Sequence, residues 1–195
     1  HLDHERFVRE AVQRLVDQGR ERIGAIFWAP IGTDDPTDNP ITNAFAAELA
    51  RQGLRYNPAW VRWDLHPAVE GSGWEEFREI WASPDSEKPD GLIITDDMLL
   101  QGAATAIRQL GVKVPDDLKI MAQVGKGVEH HLPIPAEVAT ADPQQVADAM
   151  VELFMEQWEG RSSESRSRVI PLPWVESPVT SSLTPARHDA PETAE

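Results

Sequence analysis

Polar residues at the ends of apolar runs are the first candidates for chemistry in this chain. The run Gly91–Thr95 (GLIIT) ends in a carboxylate pair, Asp96-Asp97. The run Leu118–Gln123 ends in an amide. Trp74 follows Ser72-Gly73 where a further helix-like segment begins. A carboxylate, an amide and an indole are groups that hydrogen-bond to, or stack on, a small polar molecule. They suit recognition, and they need no nucleophile or metal to achieve it.

Other patterns that carry chemistry fail on spacing. His130-His131 are adjacent, so their side chains diverge, and no third ligand lies near in sequence. Asp34, Asp35 and Asp38 lack the calcium-loop pattern and its glycine, and read as a solvated acidic loop. Gly125-Lys126-Gly127 has neither the spacing nor the following Ser/Thr of a phosphate loop. Ser162–Ser167 reads as a polar loop. With no Ser-His-Asp or paired-carboxylate context, no enzyme is expected, and no metal or cofactor.

The elements that must position these residues follow from periodicity. Val8, Ala11, Val12, Leu15 and Val16 form a helical stripe within 7–17, ended by Gly19. Ile23–Trp28 (IGAIFW) reads as a buried strand. Asn39-Pro40 is a cap followed by proline, opening a helix that runs to Gln52. A strand is expected over 54–64 and a helix from the Ser72–Glu75 capping-box spacing to about Ala82. Gly91–Thr95 is a strand; Asp97 is expected to cap the helix Met98–Leu110, leaving Asp96 directed at a cleft. Strands follow at 118–123 and 138–141. Asp142-Pro143 then opens a helix with an apolar stripe of Val146, Met150, Leu153, Phe154 and Trp158. Val169–Val175 reads as a last strand. Trp28, Trp60, Trp63 and Trp81 are expected in the core. Alternating strand and helix argue for a parallel sheet with helices on both faces, whose ligands sit beyond the carboxyl ends of the strands. Trp74, Asp96 and Gln123 would then share one rim.

Composition narrows the class. Against 18 Lys+Arg stand 33 Asp+Glu, a formal net charge of -15, so this piece repels phosphate backbones and direct nucleic-acid binding is rejected. There is no cysteine, which removes disulfides and thiolate chemistry and fits a cytoplasmic protein. No apolar run approaches the roughly 20 residues that span a bilayer, so no membrane partner is expected.

The segment Pro89–Pro115 (PDGLIITDDMLLQGAATAIRQLGVKVP) with Asp116–Ile120 after it resembles the LacI/GalR (lac-repressor-like) family of transcriptional regulators. The flanks agree in order: Ala11–Ile26, Pro135–Gly160 and Ile170–Thr180 resemble the family's helix and strand, its late strand and long helix, and its closing segment. The resemblance covers about residues 5–180. It implies an α/β, periplasmic-binding-protein-like architecture of parallel sheets flanked by helices, with a complete C-terminal lobe and part of the N-terminal lobe. Residues 1–53 would belong to the partial N-terminal lobe, 54–160 to the C-terminal lobe, and 161–183 to a closing strand and crossover. Residues 184–195, without large apolar side chains, would be a disordered tail.

The function implied is an effector-sensing, dimerising core. A small molecule, a sugar or related metabolite, binds between lobes and alters operator binding through a helix-turn-helix domain absent from these residues; the chain would thus be a truncated core. Partners would be the effector, a second copy, and operator DNA only through that missing domain. Trp74 and Asp96 fall where the family stacks on and hydrogen-bonds its effector. The helix 98–110, apolar on more than one face, would contribute to dimerisation or be buried within the lobe. Three departures argue against an ordinary pyranose: Ile41 replaces an anchoring Arg, Gln123-Val124-Gly125-Lys126 replaces an aromatic and two Asp, and Ser177 replaces an Arg. The alternatives are a solute-binding protein of a sugar uptake system and a degenerate member that only dimerises.

Overall fold

Strands buried on both faces read as continuous apolar runs, and such runs form the centre of this molecule. A computed structural model describes residues 1–28, 39–66, 68–69, 71–84, 87–160 and 167–175. The acidic loop with Asp34, Asp35 and Asp38, most of the serine-rich loop, Ser177 and the expected tail lie outside the described residues.

Five strands, β1 (Ile23–Trp28), β2 (Val61–Leu65), β3 (Gly91–Ile94), β4 (Lys119–Gly125) and β5 (Glu137–Ala141), form one parallel sheet in the order β2-β1-β3-β4-β5. Helices α1 (His4–Asp17), α2 (Pro40–Arg51), α3 (Trp74–Trp81), α4 (Asp97–Gln109) and α5 (Pro143–Trp158) alternate with them. The expected parallel α/β architecture is present.

The two faces bury different helices. Phe7, Val8, Ala11, Val12 and Leu15 of α1 and Phe45 and Leu49 of α2 pack on Ile23, Ala25, Phe27, Ile93 and Met121. Phe77 and Ile80 of α3 and Leu99, Leu100, Ala103, Ala104 and Ile107 of α4 cover Ile26, Leu92, Ile94, Ile120, Ala122 and Val124. The extra apolar residues of α4 are therefore mostly inside; Met98 and Leu110 remain exposed. Trp60 is buried, and Trp28, Trp63 and Trp81 pack partly buried against the two clusters.

Two expectations of organisation need correction. The boundary drawn at residue 53 falls inside one sheet: β1, before it, is hydrogen-bonded to both β2 and β3, after it. Residues 1–53 and 54–141 therefore form one layered unit. The stretch 169–175 makes two isolated bridges, Leu2 with Ile170 and Ala139 with Trp174, rather than a regular strand. Pro171 and Pro173 remove the N–H groups a ladder would use. The carbonyl of Pro173 still accepts from Thr140 N at 2.9 Å.

Helix starts differ in detail. α1 begins at His4, three residues before the expected start, because the Asp3 side chain accepts from Arg6 N. α3 begins after Gly73, not Ser72. Gly73 has φ 82°, and the Glu76 carboxylate accepts its N–H at 2.5 Å. A side chain at Gly73 would also meet the backbone of Leu99, and one at Gly102 would meet the backbone of Ser72 and Trp74. Helices α3 and α4 thus cross backbone to backbone.

Candidate functional site

The strand order reverses on either side of β1 and β3, where ligands of open parallel sheets bind beyond the carboxyl ends. Polar groups gather there. Trp28 N, at the end of β1, donates to Thr95 Oγ1, just past β3, at 3.2 Å. Ile94 pairs with Ala122, which puts Thr95 next in register to Gln123. Both are buried on the sheet face that α1 covers. His4, at the amino end of α1, packs edge-on against Trp28 with ring centroids 5.6 Å apart.

His4 has a buried Nδ1 without a hydrogen-bond partner. Burial pushes its pKa down to about 4; the Asp3 carboxylate opposes this and the amino terminus of His1 adds to it. Sequence reasoning missed His4 and Thr95. Asp3, a capping residue type followed by the acidic Glu5, was the signal that α1 starts early enough to bring His4 to this edge.

The two aspartates exchange their expected roles. Asp96 is extended (φ -157°, ψ 144°), and its Oδ1 accepts from Met98 N at 2.8 Å and Leu99 N at 3.2 Å, so Asp96 caps α4. Asp97 is the first helical residue; its Oδ2 faces Gly125 N at 3.4 Å, across to the end of β4. The extended strand conformation persists one residue beyond Thr95, and only a residue still extended can fold its side chain back onto the helix N–H groups. Burial holds the Asp96 carboxyl above its ordinary value, opposed by the two cap hydrogen bonds and reinforced by the charge of Asp97. Beyond β4, Lys126 Nζ pairs with Asp142 Oδ2 at 2.6 Å, which lowers the Asp142 pKa, while Asp142 Oδ1 caps α5 through Gln144 N at 3.0 Å.

The structure brings Asp96 and Gln123 to the same edge, but turns Trp74 elsewhere. The Trp74 backbone lies beside Gly102, and its Nε1 donates to Gln109 Oε1 at 2.8 Å, at the far end of α4. The Arg78 guanidinium sits 4.6 Å above its ring. The indole is thus clasped between α3 and α4 and runs away from the carboxyl edge. The departures from the family pattern also have structural expression. Ile41 is in the core between α1 and α2, and Val124 is wholly buried under α3 and α4. Neither offers a polar group to the edge. Among the described residues no three His, Asp or Glu side chains converge on a metal position, and no helix is long and apolar enough to cross a membrane.

The profile of the periplasmic-binding-protein-like domain matches residues 12–176, most of the chain. The chain belongs to this family. Curated relatives include the HTH-type transcriptional repressor PurR of Aliivibrio salmonicida (strain LFI1238), 22% identical over 157 residues, covering 80% of this chain and 45% of the relative. Another is the HTH-type transcriptional repressor CytR of Escherichia coli (strain K12), 21% identical over 175 residues, covering 87% and 48%. Among solved structures, a transcriptional regulator CelR–cellobiose complex superposes with a TM-score of 0.72 at 21% identity, covering 89% of this chain and 51% of that one. A LacI-family sugar-binding regulator of Escherichia coli, complexed with phosphate, gives 0.65 at 18%, covering 89% and 60%. The expected likeness to LacI-type regulators is thereby supported, and the relatives are repressors rather than enzymes. The chain spans about half the length of the curated relatives it matches.

Proposed function

We propose that these residues are the effector-binding core of a LacI-type transcriptional repressor. Such a protein acts as a cytoplasmic dimer and reaches operator DNA through a helix-turn-helix domain outside residues 1–195. The carrying observation is the family match, and the reading is supported by polar residues Thr95, Asp96 and Gln123 at the carboxyl end of the sheet beside its reversal point. The acidic charge fits a part that senses rather than one that touches DNA.

On this reading Asp96 and Gln123 hydrogen-bond the effector, and Trp74 holds α3 on α4 instead of stacking on a ligand. The edge offers carboxylates, an amide and a hydroxyl. That inventory suits a neutral molecule rich in hydroxyl or N–H donors, such as a sugar or nucleoside, the class to which the cellobiose of the CelR complex belongs. A ligand held there presses on the cap of α4 and biases the angle between lobes, which sets the spacing of two DNA-binding heads.

The test is a calorimetric titration of the complete protein with sugars and nucleosides, repeated with Gln123→Ala. A saturable effector that changes operator affinity, and binds the variant more weakly, supports the reading. An effector bound equally well by the variant removes the assigned site. Operator affinity unmoved by any ligand that binds removes the regulatory role.

A further inference from the structure

Three connections enter the amino ends of neighbouring strands and frame a cavity of about 190 Å³. Glu21 and Arg22 precede β1, Arg55, Asn57 and Trp60 precede β2, and Glu87 precedes β3. The cavity therefore lies at the opposite edge of the sheet from Asp96 and Gln123.

Its walls are held from behind. One carboxylate oxygen of Asp90 accepts from Arg22 N at 2.9 Å and Glu21 N at 3.2 Å, and the other pairs with the Arg22 guanidinium at 3.2 Å. Arg22 Nε donates to the Lys88 carbonyl at 2.7 Å. Asn57 Oδ1 accepts from Ala59 N at 3.1 Å. Trp60 is only 5% exposed, and its Nε1 is buried without a hydrogen-bond partner. A buried indole N–H ordinarily has one. Among the described residues no ion pair engages Arg55, Glu21 or Glu87.

The wall thus presents two guanidinium groups, two carboxylates and an N–H that lacks an acceptor. A simple anion there meets Glu21 and Glu87, and a simple cation meets Arg22 and Arg55. A molecule that carries both charges complements the whole set. The volume equals that of about six water molecules, so the occupant has about six non-hydrogen atoms.

We propose that this cavity binds a small α-amino acid. Its carboxylate takes Arg55 and supplies the acceptor that Trp60 Nε1 lacks, and its ammonium lies between Glu21 and Glu87. The site is separate from the carboxyl edge and does not rest on the repressor reading. A protein that binds no effector at Asp96 and Gln123 leaves it intact.

The probe is L-alanine, added to the complete protein labelled with fluorotryptophan and followed by fluorine NMR. Trp60→Phe identifies the Trp60 signal by its loss. That signal should shift saturably, with a Kd on the order of 1 mM or below. Arg55→Ala changes an exposed residue outside the core, and should raise this Kd by about tenfold. Propionate, which lacks the ammonium, and ethylammonium, which lacks the carboxylate, should leave the signal in place. A Trp60 signal that L-alanine does not move overturns the proposal. A shift as large with propionate or ethylammonium overturns the requirement for both charges. L-alanine binding unchanged by Arg55→Ala but lost with Gln123→Ala puts the amino acid at the carboxyl edge and overturns this site.

Discussion

Replacing His4 with phenylalanine tests the electrostatics of the carboxyl edge most directly. Burial lowers the His4 pKa from 6.5 to about 4 in the folded chain, against the opposing pull of Asp3. A group with a depressed folded-state pKa contributes stability above its unfolded value, and that contribution is lost as the pH falls toward the folded one. At pH 5.0 the unfolded chain carries the proton almost completely and the folded chain scarcely at all. With about 1.36 kcal/mol per unit, the native state should lose about 2 kcal/mol through this one residue between pH 7.5 and pH 5.0. His4→Phe keeps an aromatic ring against Trp28 and abolishes the titration. It also removes the unpartnered Nδ1, so the variant should be no less stable at pH 7.5. Urea denaturation followed by far-ultraviolet circular dichroism, on both proteins at both pH values, measures the difference. The carboxylates titrate alike in both proteins and cancel. The reasoning is refuted if His4→Phe loses as much stability as the parent on acidification, because the imidazole would then be ordinary and solvated.

Other substitutions test the framework around the edge. Asp96→Ala should cost about 1 kcal/mol by leaving Met98 N and Leu99 N uncapped, whereas Asp96→Asn should cost only a few tenths; thermal melts of the pair separate capping from any ligand role. Gly102→Ala drives a methyl group into the backbone of Ser72 and Trp74, and should destabilise by about 3 kcal/mol or prevent soluble expression, read from the urea midpoint. Phe77→Ala, which empties a wholly buried site where the ring stacks on Trp81 at 5.5 Å, should cost about 3–5 kcal/mol in the same assay.

Much of the fold was legible because its signals are local. The strands β1, β3 and β4 are apolar runs, and Asn39-Pro40 and Asp142-Pro143 announced α2 and α5 by side chains that accept from the N–H groups just after them. What local pattern does not contain is strand order. β1 is first in sequence but lies second in the sheet, between β2 and β3, so a boundary drawn beside it at residue 53 had no counterpart in space. The site was legible to the same depth. Asp96 and Gln123 follow from sitting at the ends of strands. Which of Asp96 and Asp97 caps α4 depends on one ψ angle, and the direction of Trp74 depends on Gln109, 35 residues away. The α5 periodicity identified an amphipathic helix but carried no information about what its apolar side would meet.

The crossing of α3 and α4 at Gly73 and Gly102 has a mechanical consequence. Where side chains separate two helices, a small push is absorbed by a change of rotamer. At Gly73 and Gly102 main chain rests on main chain, and at those two points no side chain lies between to rearrange. The pair therefore moves as one stiff plate, pinned a second time by the indole of Trp74 on Gln109. A displacement of α4 at its cap would therefore carry α3 with it.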